Sequence, residues 1–364
     1  MIENQRYMWM EYAVMLAEEG RYSCSPNPMV GAVIISDGKV IGEGYHKKAG
    51  EPHAEINAIT SAKEKTENST LFVTLEPCST HGRTPPCTEA IIKAGIKKVI
   101  IGAIDPNPKH SGQAVEILKN AGIEVEVIND QECENLNEKF NHFITAGIPF
   151  VHAKWAMTLD GKIATRTGSS KWISCSESRR SVHKLRAEYD AIMTGSGTIL
   201  KDDPQLNVRL EGEWQQPVKI IIDSLCKTPA DAKILRSGAK TIIACGQDAS
   251  EVKIAELESA GAKVIKIATR ENKKIILPEL FEKLVGENIS SVFVEGGSLL
   301  LGALFDNHLI NKVSVFIAPK IIGGKESLSP IGGTGIEEIS NAINLNNLHT
   351  EQIGCDIMMT GKIT

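Results

Sequence analysis

Short aliphatic runs bounded by turns recur along this chain, and helical patterns of about ten residues separate them. "STLFVTLEPC", "KKVIIGAID" and "IEVEV" read as strands; "PCTEAIIKAG" and "QAVEILKNAG" between them read as helices. Strands that alternate with helices of this length imply an α/β layer with parallel pairing, because a parallel pair needs a crossover connection. Ahead of these, residues 6–20 read as a helix whose apolar face draws on Tyr7, Met8, Met10, Met15 and Leu16. "VGAVIISDGKVIGEGYH" reads as two strands about an Asp37-Gly38 turn, and "PHAEINAITSAKEK" as a helix opened by Pro52.

The alternation breaks once. Residues 131–147 are polar and helix-compatible, and a new series of strands begins at Pro149: "AIMTGS", "VKIIIDS", "TIIACG", "KVIKIA", "SVFVEGG" and "KVSVFIAPK". The boundary is placed at about 147, giving domains 1–147 and 148–364. A chain of 364 residues with 42% apolar content is long enough for two hydrophobic cores. A net charge of −5 supplies no global basic field for nucleic acid or an anionic membrane, so neither is expected as a partner. The N-terminus lacks the pattern of a signal peptide, and no run approaches eighteen apolar residues. With eight scattered cysteines, a reducing cytoplasm is expected, where thiols bind metal or stay buried rather than pair.

The chemistry concentrates first in "HAE", His53 to Glu55, and "EPCSTHGRTPPC", Glu76 to Cys87. A catalytic zinc takes three protein ligands and keeps one position open. His53, Cys78 and Cys87 supply one nitrogen and two sulfurs. Glu55, two residues after His53, is poorly placed to share the metal but can serve as the proton shuttle. A helix starting after "TPPC" puts Cys87 near a positive dipole end, which favours thiolate. The order H-x-E then P-C is that of zinc nucleobase deaminases. A purely structural zinc site would want a fourth ligand, with Cys24 or His81 available. Eight residues separate the cysteines, and they include Gly82, Arg83 and Thr84, a combination suited to gripping a phosphate.

"HAEINAI", "LEPCSTHGRTPPC" and "DPNP" resemble the deaminase half of the bifunctional riboflavin biosynthesis family of pyrimidine deaminase–reductases. The resemblance implies a cytidine-deaminase-like three-layer α/β/α fold for the first domain. It implies a phosphorylated ribosylamino-pyrimidine substrate, zinc on His53, Cys78 and Cys87, and Glu55 as proton shuttle. Asn27, His46, Arg83, Thr84, Asp105 and Asn107 are implied as contacts to base, ribose or phosphate. The chain departs from the family pattern at Thr80, where a histidine is usual, and at "SGQA", Ser111 to Ala114, where A/S-G-K/R-G is usual.

In the second half no G-x-G-x-x-G follows a strand, which excludes the Rossmann fingerprint. "MTGSGT" and "FVEGGSLL" still place glycines where a strand meets a turn, and a pyrophosphate can rest on Gly296 and Gly297 as a helix begins. Trp172 reads equally well as a core residue, and Asp202 with Asp203 as a turn pair. "KWAMTLDGKIATRTGSSKWIS", "HKLRAEYDAIMTGSGTILKDDPQLNVR" and "VEGGSLL" resemble the same family's reductase half, which implies a dihydrofolate-reductase-like α/β fold and hydride transfer from NADPH. The match implies Lys154 as the catalytic group, and Ser170, Arg186, Leu206, Arg209 and Glu295 as substrate contacts. It implies Ala156, Trp172, Ser174, Thr198, Asp202, Ser224, Gly296 and Gly297 on the cofactor side. A homo-oligomer, dimer or tetramer, built on the reductase domain is implied too. Two rival readings are a tRNA or nucleoside deaminase with an unrelated C-terminal domain, and a non-catalytic metal-stabilised scaffold.

Overall fold

The computed structural model describes residues 3–63, 65–80 and 85–363. The chain divides into two compact units, Met1–Gly147 and Ile148–Thr364.

In the first unit the chain runs α1 (Glu3–Glu18), β1 (Gly31–Ser36), β2 (Lys39–Tyr45), α2 (Ala54–Ser61), β3 (Thr70–Leu75), α3 (Cys87–Lys93), β4 (Lys98–Ala103), α4 (Gln113–Asn120), β5 (Glu124–Val127), α5 (Gln131–Leu136) and α6 (Glu138–Ala146). Its described strands form one sheet ordered β2-β1-β3-β4-β5. β1 is antiparallel to β2 and β3, and β3, β4 and β5 run parallel. The β1–β2 turn is Asp37-Gly38, both at positive φ, as a two-residue hairpin of these residues requires. β3 is buried on both faces. Leu71 and Val73 pack with Ala54, Ala58, Ile91 and Leu118 of α2, α3 and α4, while Phe72 and Leu75 pack with Met10, Ala13 and Cys133 of α1 and α5. This is a three-layer α/β/α arrangement.

α1 buries only part of the expected face: Leu16 packs against the core with Met10. Met10, Ala13 and Ala17 are buried, whereas Tyr7, Met8 and Met15 are exposed. The reason is close approach. A Cβ on Gly31 of β1 would lie 1.9 Å from the Ala13 carbonyl oxygen and 2.8 Å from the Ala17 nitrogen. Only small residues fit where helix and strand backbones come this near, so the larger side chains turn outward.

The second unit runs β6 (Phe150–Thr158), α7 (Ser176–Ala187), β7 (Ala191–Gly195), α8 (Ser196–Asp202), β8 (Val218–Ile222), β9 (Thr241–Gly246), α9 (Glu251–Ser259), β10 (Ala262–Ile267), α10 (Leu277–Val285), β11 (Ser291–Val294), α11 (Ser298–Asp306), β12 (Lys312–Ala318), β13 (Leu345–Ile353) and β14 (Asp356–Ile363). The described strands form one sheet, β10-β9-β8-β7-β11-β6-β12-β14-β13. It is parallel as far as β12, and β14 then pairs antiparallel with both β12 and β13. α10 and α11 cover one face through Leu280, Phe281, Leu301 and Leu304, and α7, α8 and α9 cover the other through Val182, Ile199 and Leu257. The β13–β14 hairpin lies beyond the last strand expected from sequence. β13 is largely exposed with mixed polarity, "LNNLHTEQI", so neither strict alternation nor an apolar run marks it.

Gly31→Ala is expected to lower stability by about 2 kcal/mol or more, because both neighbouring atoms are backbone and α1 must move as a body. Urea unfolding of the full chain, with the midpoint compared at equal slope, measures it.

Candidate active sites

In the first unit, three helix and strand ends meet. His53 is the N-cap of α2, Cys87 is the first residue of α3, and Cys78 follows the end of β3. His53 Nδ1 lies 3.3 Å from Cys87 Sγ and 3.5 Å from Cys78 Sγ. All three ligand atoms fall within 4.8 Å of one another. Zinc bonds of about 2.3 Å to sulfur and about 2.0 Å to nitrogen, at a tetrahedral angle, set sulfur and nitrogen about 3.5 Å apart. The three residues therefore fit a zinc ion with one position left open. Cys24, weighed as a fourth ligand, is instead buried with Ala17, Met29 and Leu136. His81 lies outside the described residues.

Of the two thiols, Cys78 is the one held low. Hydrogen bonds from the Cys87 thiol, from His53 and from the Cys87 N–H (3.2 Å) hold it at about 4 against the opposing effect of burial. Cys87 opens α3, as expected. Its sulfur faces Cys78 and Glu55 and is buried, and these push its thiol up. Glu55 is 3% exposed, in the first turn of α2. Burial pushes its carboxyl up, and the Cys78 charge adds to this. A carboxyl raised toward neutrality beside a metal site is suited to taking and returning a proton.

Around this centre the structure places the other first-domain residues. His46 is 2% exposed and packs edge-on against the His53 ring at 5.3 Å. Its Nδ1 faces the Pro52 carbonyl at 3.3 Å and its Nε2 faces Asn27 Nδ2 at 3.0 Å. Burial lowers its pKa, so the neutral ring donates from Nδ1 and accepts from Asn27. Asp105 accepts from the Asn107 N–H at 2.9 Å, which folds the "DPNP" turn on itself. Arg83 and Thr84 lie outside the described residues.

Sequence reading missed Glu76. Its buried carboxylate accepts backbone N–H bonds from Asp105 (3.2 Å), Gly112 (2.9 Å) and Ala114 (3.0 Å). One side chain at the end of β3 thereby ties down the 105–114 loop beside the ligands. The carboxylate reads backbone there, so the side-chain departure at "SGQA" leaves these bonds intact. Thr80 is exposed. The available signal was the glutamate immediately after an apolar strand and before Pro77-Cys78.

In the second unit, Lys154 on β6, Arg186 on α7 and Glu295 after β11 converge. Arg186 makes a two-point contact with the Glu295 carboxylate, through Nε to Oε1 and through Nη2 to Oε2 at 3.1 Å. Lys154 Nζ stands 3.8 Å from Oε2, over the Phe316 ring at 5.5 Å. Burial pulls the Lys154 ammonium below its ordinary pKa, and Arg186 adds to this. Burial also pushes the Glu295 carboxyl up, but Arg186 and Lys154 outweigh it and hold it ionised. Leu206 is buried at positive φ, and the Arg209 side chain is exposed.

Gly296 and Gly297, expected to carry a pyrophosphate, lie at the start of α11, and a second helix start lies nearby. Gly195 caps α8 and Gly297 caps α11. A Cβ on Gly297 would lie 3.8 Å from Thr198 Oγ1, and one on Gly296 would press on Leu300 at 2.9 Å. The two helix N-termini follow neighbouring parallel strands, β7 and β11, so their free N–H groups could hold an anion. Ser224 follows the adjacent strand β8, and Ala156 lies in β6 opposite Phe316. Asp202 ends α8; Asp203 caps it at φ 41 and accepts the Lys233 N–H at 2.8 Å, a turn role. Ser170, Trp172 and Ser174 lie on the connection between β6 and α7. Trp172 is no core residue: it is 64% exposed, with the Arg179 guanidinium 4.6 Å from its ring. Lys320 pins the backbone carbonyls of Trp172 (2.8 Å) and Ile173 (2.6 Å).

Cys175, Cys355 and Asp356 also lie within 4.8 Å of one another. Asp356 already accepts from the Cys175 N–H (2.8 Å) and Ser178 Oγ (2.7 Å), which fastens the β13–β14 turn to α7.

Residues 3–103 match the cytidine and deoxycytidylate deaminase zinc-binding region, and residues 149–359 match the RibD C-terminal domain. The chain is 44% identical over 355 residues to the riboflavin biosynthesis protein RibD of Aquifex aeolicus, covering 97% of each. It is 43% identical to RibD of Actinobacillus pleuropneumoniae, covering 96% of this chain and 93% of that one. Among solved structures, form 1 of Acinetobacter baumannii RibD superposes with a TM-score of 0.89 at 37% identity, covering 99% of both chains. The diaminohydroxyphosphoribosylaminopyrimidine deaminase/5-amino-6-(5-phosphoribosylamino)uracil reductase of Thermotoga maritima gives 0.85 at 35%, with the same coverage.

Purified protein is expected to carry about one zinc per chain, lost in Cys78→Ala and kept in Cys24→Ala; metal analysis by mass spectrometry reads both. Glu76→Ala should keep the zinc while the 105–114 loop loses amide protection in hydrogen exchange.

Proposed function

We propose, for a chain that belongs to the RibD family of riboflavin biosynthesis proteins, that its two units act in succession on one phosphorylated pyrimidine. The protein is a bifunctional enzyme, a zinc-dependent deaminase followed by an NADPH-dependent reductase. The observation that carries the reading is the convergence of His53, Cys78 and Cys87 beside buried Glu55.

The first substrate is 2,5-diamino-6-ribosylamino-4(3H)-pyrimidinone 5′-phosphate. Water adds at the ring carbon bearing the amino group, and ammonia leaves. Zinc, when held by His53, Cys78 and Cys87, would supply an acidified water as nucleophile. Glu55 takes that water's proton and returns it to the departing nitrogen. His46 keeps the His53 ring in place, with Asn27 fixing the His46 tautomer. The 105–114 loop, anchored by Glu76, forms one wall for the substrate. Contact of Arg83 and Thr84 with the phosphate rests on their match to the family motif.

In the second step NADPH, when bound, would supply the hydride that adds at C1′ of the ribosylamino group. The ring C–O bond opens, and a proton ends on the sugar oxygen, leaving a ribitylamino chain. Lys154 holds the proton for that oxygen. Glu295 keeps Lys154 charged although burial lowers its pKa. Arg186 and Arg209 supply the positive charge for the phosphate, and the cradle formed by α8 and α11 takes the cofactor's pyrophosphate. A homo-oligomer built on the reductase unit belongs to this reading, with sedimentation velocity as its check. So does a cytoplasmic location, which suits eight cysteines that form no disulfide. Similarity over 97% of the chain disfavours a nucleoside deaminase joined to an unrelated domain.

Mass spectrometry of the ribotide after incubation should show amino-for-oxygen exchange without NADPH, and a gain of two hydrogens only with it. Glu55→Gln is expected to lower deamination by about 10²- to 10⁴-fold with zinc and reduction retained. Lys154→Met should do the converse. Reduction should fall as pH rises through the Lys154 pKa, at a lower pH than the ordinary lysine value of about 10.4. That alkaline limb should be absent from the residual activity of Lys154→Met.

A further inference from the structure

The segment Leu206–Arg209 belongs to no helix or strand, yet side chains from four other positions hold its polar groups. Arg186 Nη1 donates to the Asn207 carbonyl at 2.9 Å. Gln216 holds Val208 at both ends, accepting from its N–H at 2.9 Å and donating to its carbonyl at 3.1 Å. The Arg209 N–H donates to His183 Nδ1 at 3.2 Å. The same Nδ1 stands 3.0 Å from the Asn207 carbonyl, so His183 touches the segment at two points. The fourth anchor is Lys219, whose Nζ donates to Asn207 Oδ1 and Ser237 Oγ.

Lys219 is the anomaly. It lies in β8, within the apolar run "VKIII", and is fully buried. An ammonium in such a place costs several kcal/mol of desolvation unless it is well paired, and an aliphatic residue would satisfy the strand better. Its two partners are neutral, so it balances no buried carboxylate through them. What it does hold is the Asn207 side chain, and the Asn207 carbonyl is the one bonded to Arg186.

We propose that Lys219 is a positioning residue of the reduction site, acting with Gln216 and His183. Together they fix Leu206–Arg209 so that Arg186 and Arg209 stand ready for the substrate phosphate before it binds. Leu206 sits at φ +50, a conformation that costs a non-glycine residue and persists only when its surroundings impose it. The four anchors impose it. Preorganised cations lose little freedom on binding, so the effect falls on substrate affinity. The inference rests on the reductase reading given above.

The test is steady-state reduction by full-length wild type, Lys219→Met and Gln216→Ala. The substrates are the phosphorylated ribosylaminouracil and its dephosphorylated riboside, with NADPH varied separately. Lys219→Met should raise KM for the ribotide about tenfold or more, with KM for NADPH within about twofold. Gln216→Ala should shift the ribotide KM in the same direction. The riboside should be affected far less than the ribotide in both. An unchanged ribotide KM in both variants would overturn the proposal. So would equal losses on ribotide and riboside, which would mean a structural role alone. Should Lys219→Met fail to fold, Gln216→Ala decides by the same criteria. A wild type that reduces no ribotide at all would instead remove the functional reading, and this inference with it.

Discussion

Burial of parallel strands on both faces is the constraint from which both sites follow. β3 in the first unit, and β7, β8 and β11 in the second, are packed by helices above and below. Little chemistry can be placed along such strands, because every polar group there must be paired. It has to collect where the strands end and the helices begin. Cys78 and Glu76 follow β3, Asp105 follows β4, Thr198 and Ser224 follow β7 and β8, and Glu295 to Gly297 follow β11. Helix N-termini add unpaired N–H groups at the same edge, where thiolates, carboxylates and phosphates are stabilised.

Inside this frame, buried charge is tolerated only with specific partners. Glu76 has three backbone N–H donors, Glu295 has Arg186 and Lys154, and Lys219 has Asn207 and Ser237. Each such group fixes a loop or a cation that a substrate must meet. The exposed pairs, such as Lys253–Glu256 and Lys266–Glu251, are held in water and contribute at most about 1 kcal/mol each. Stability and function therefore draw on different charges, and the ones near the sites are there for geometry.

Where the structure departs from sequence expectation, a close contact decides. The buried face of α1 is set by Gly31 and the small residues opposite it, which no hydrophobic count ranks above Tyr7 or Met15. β13 carries too little pattern to be seen before its partner β14 is in place.

The sequence by itself determined the alternation of strands and helices, the break near residue 147, and the grouping of His53, Cys78 and Cys87 with Glu55. These are legible because they depend on local period and on rare residue types at fixed spacing. Only the tertiary structure decided what Glu76, Asn207, His183, Gln216 and Lys219 do. Each acts on backbone or side-chain groups brought to it from elsewhere in the fold, up to 38 positions away in the case of Glu76 and Ala114. A lysine in an apolar strand or a glutamate before a proline has no meaning until the atoms that accept or donate its hydrogen bonds have been carried to it, and only the packed chain carries them there.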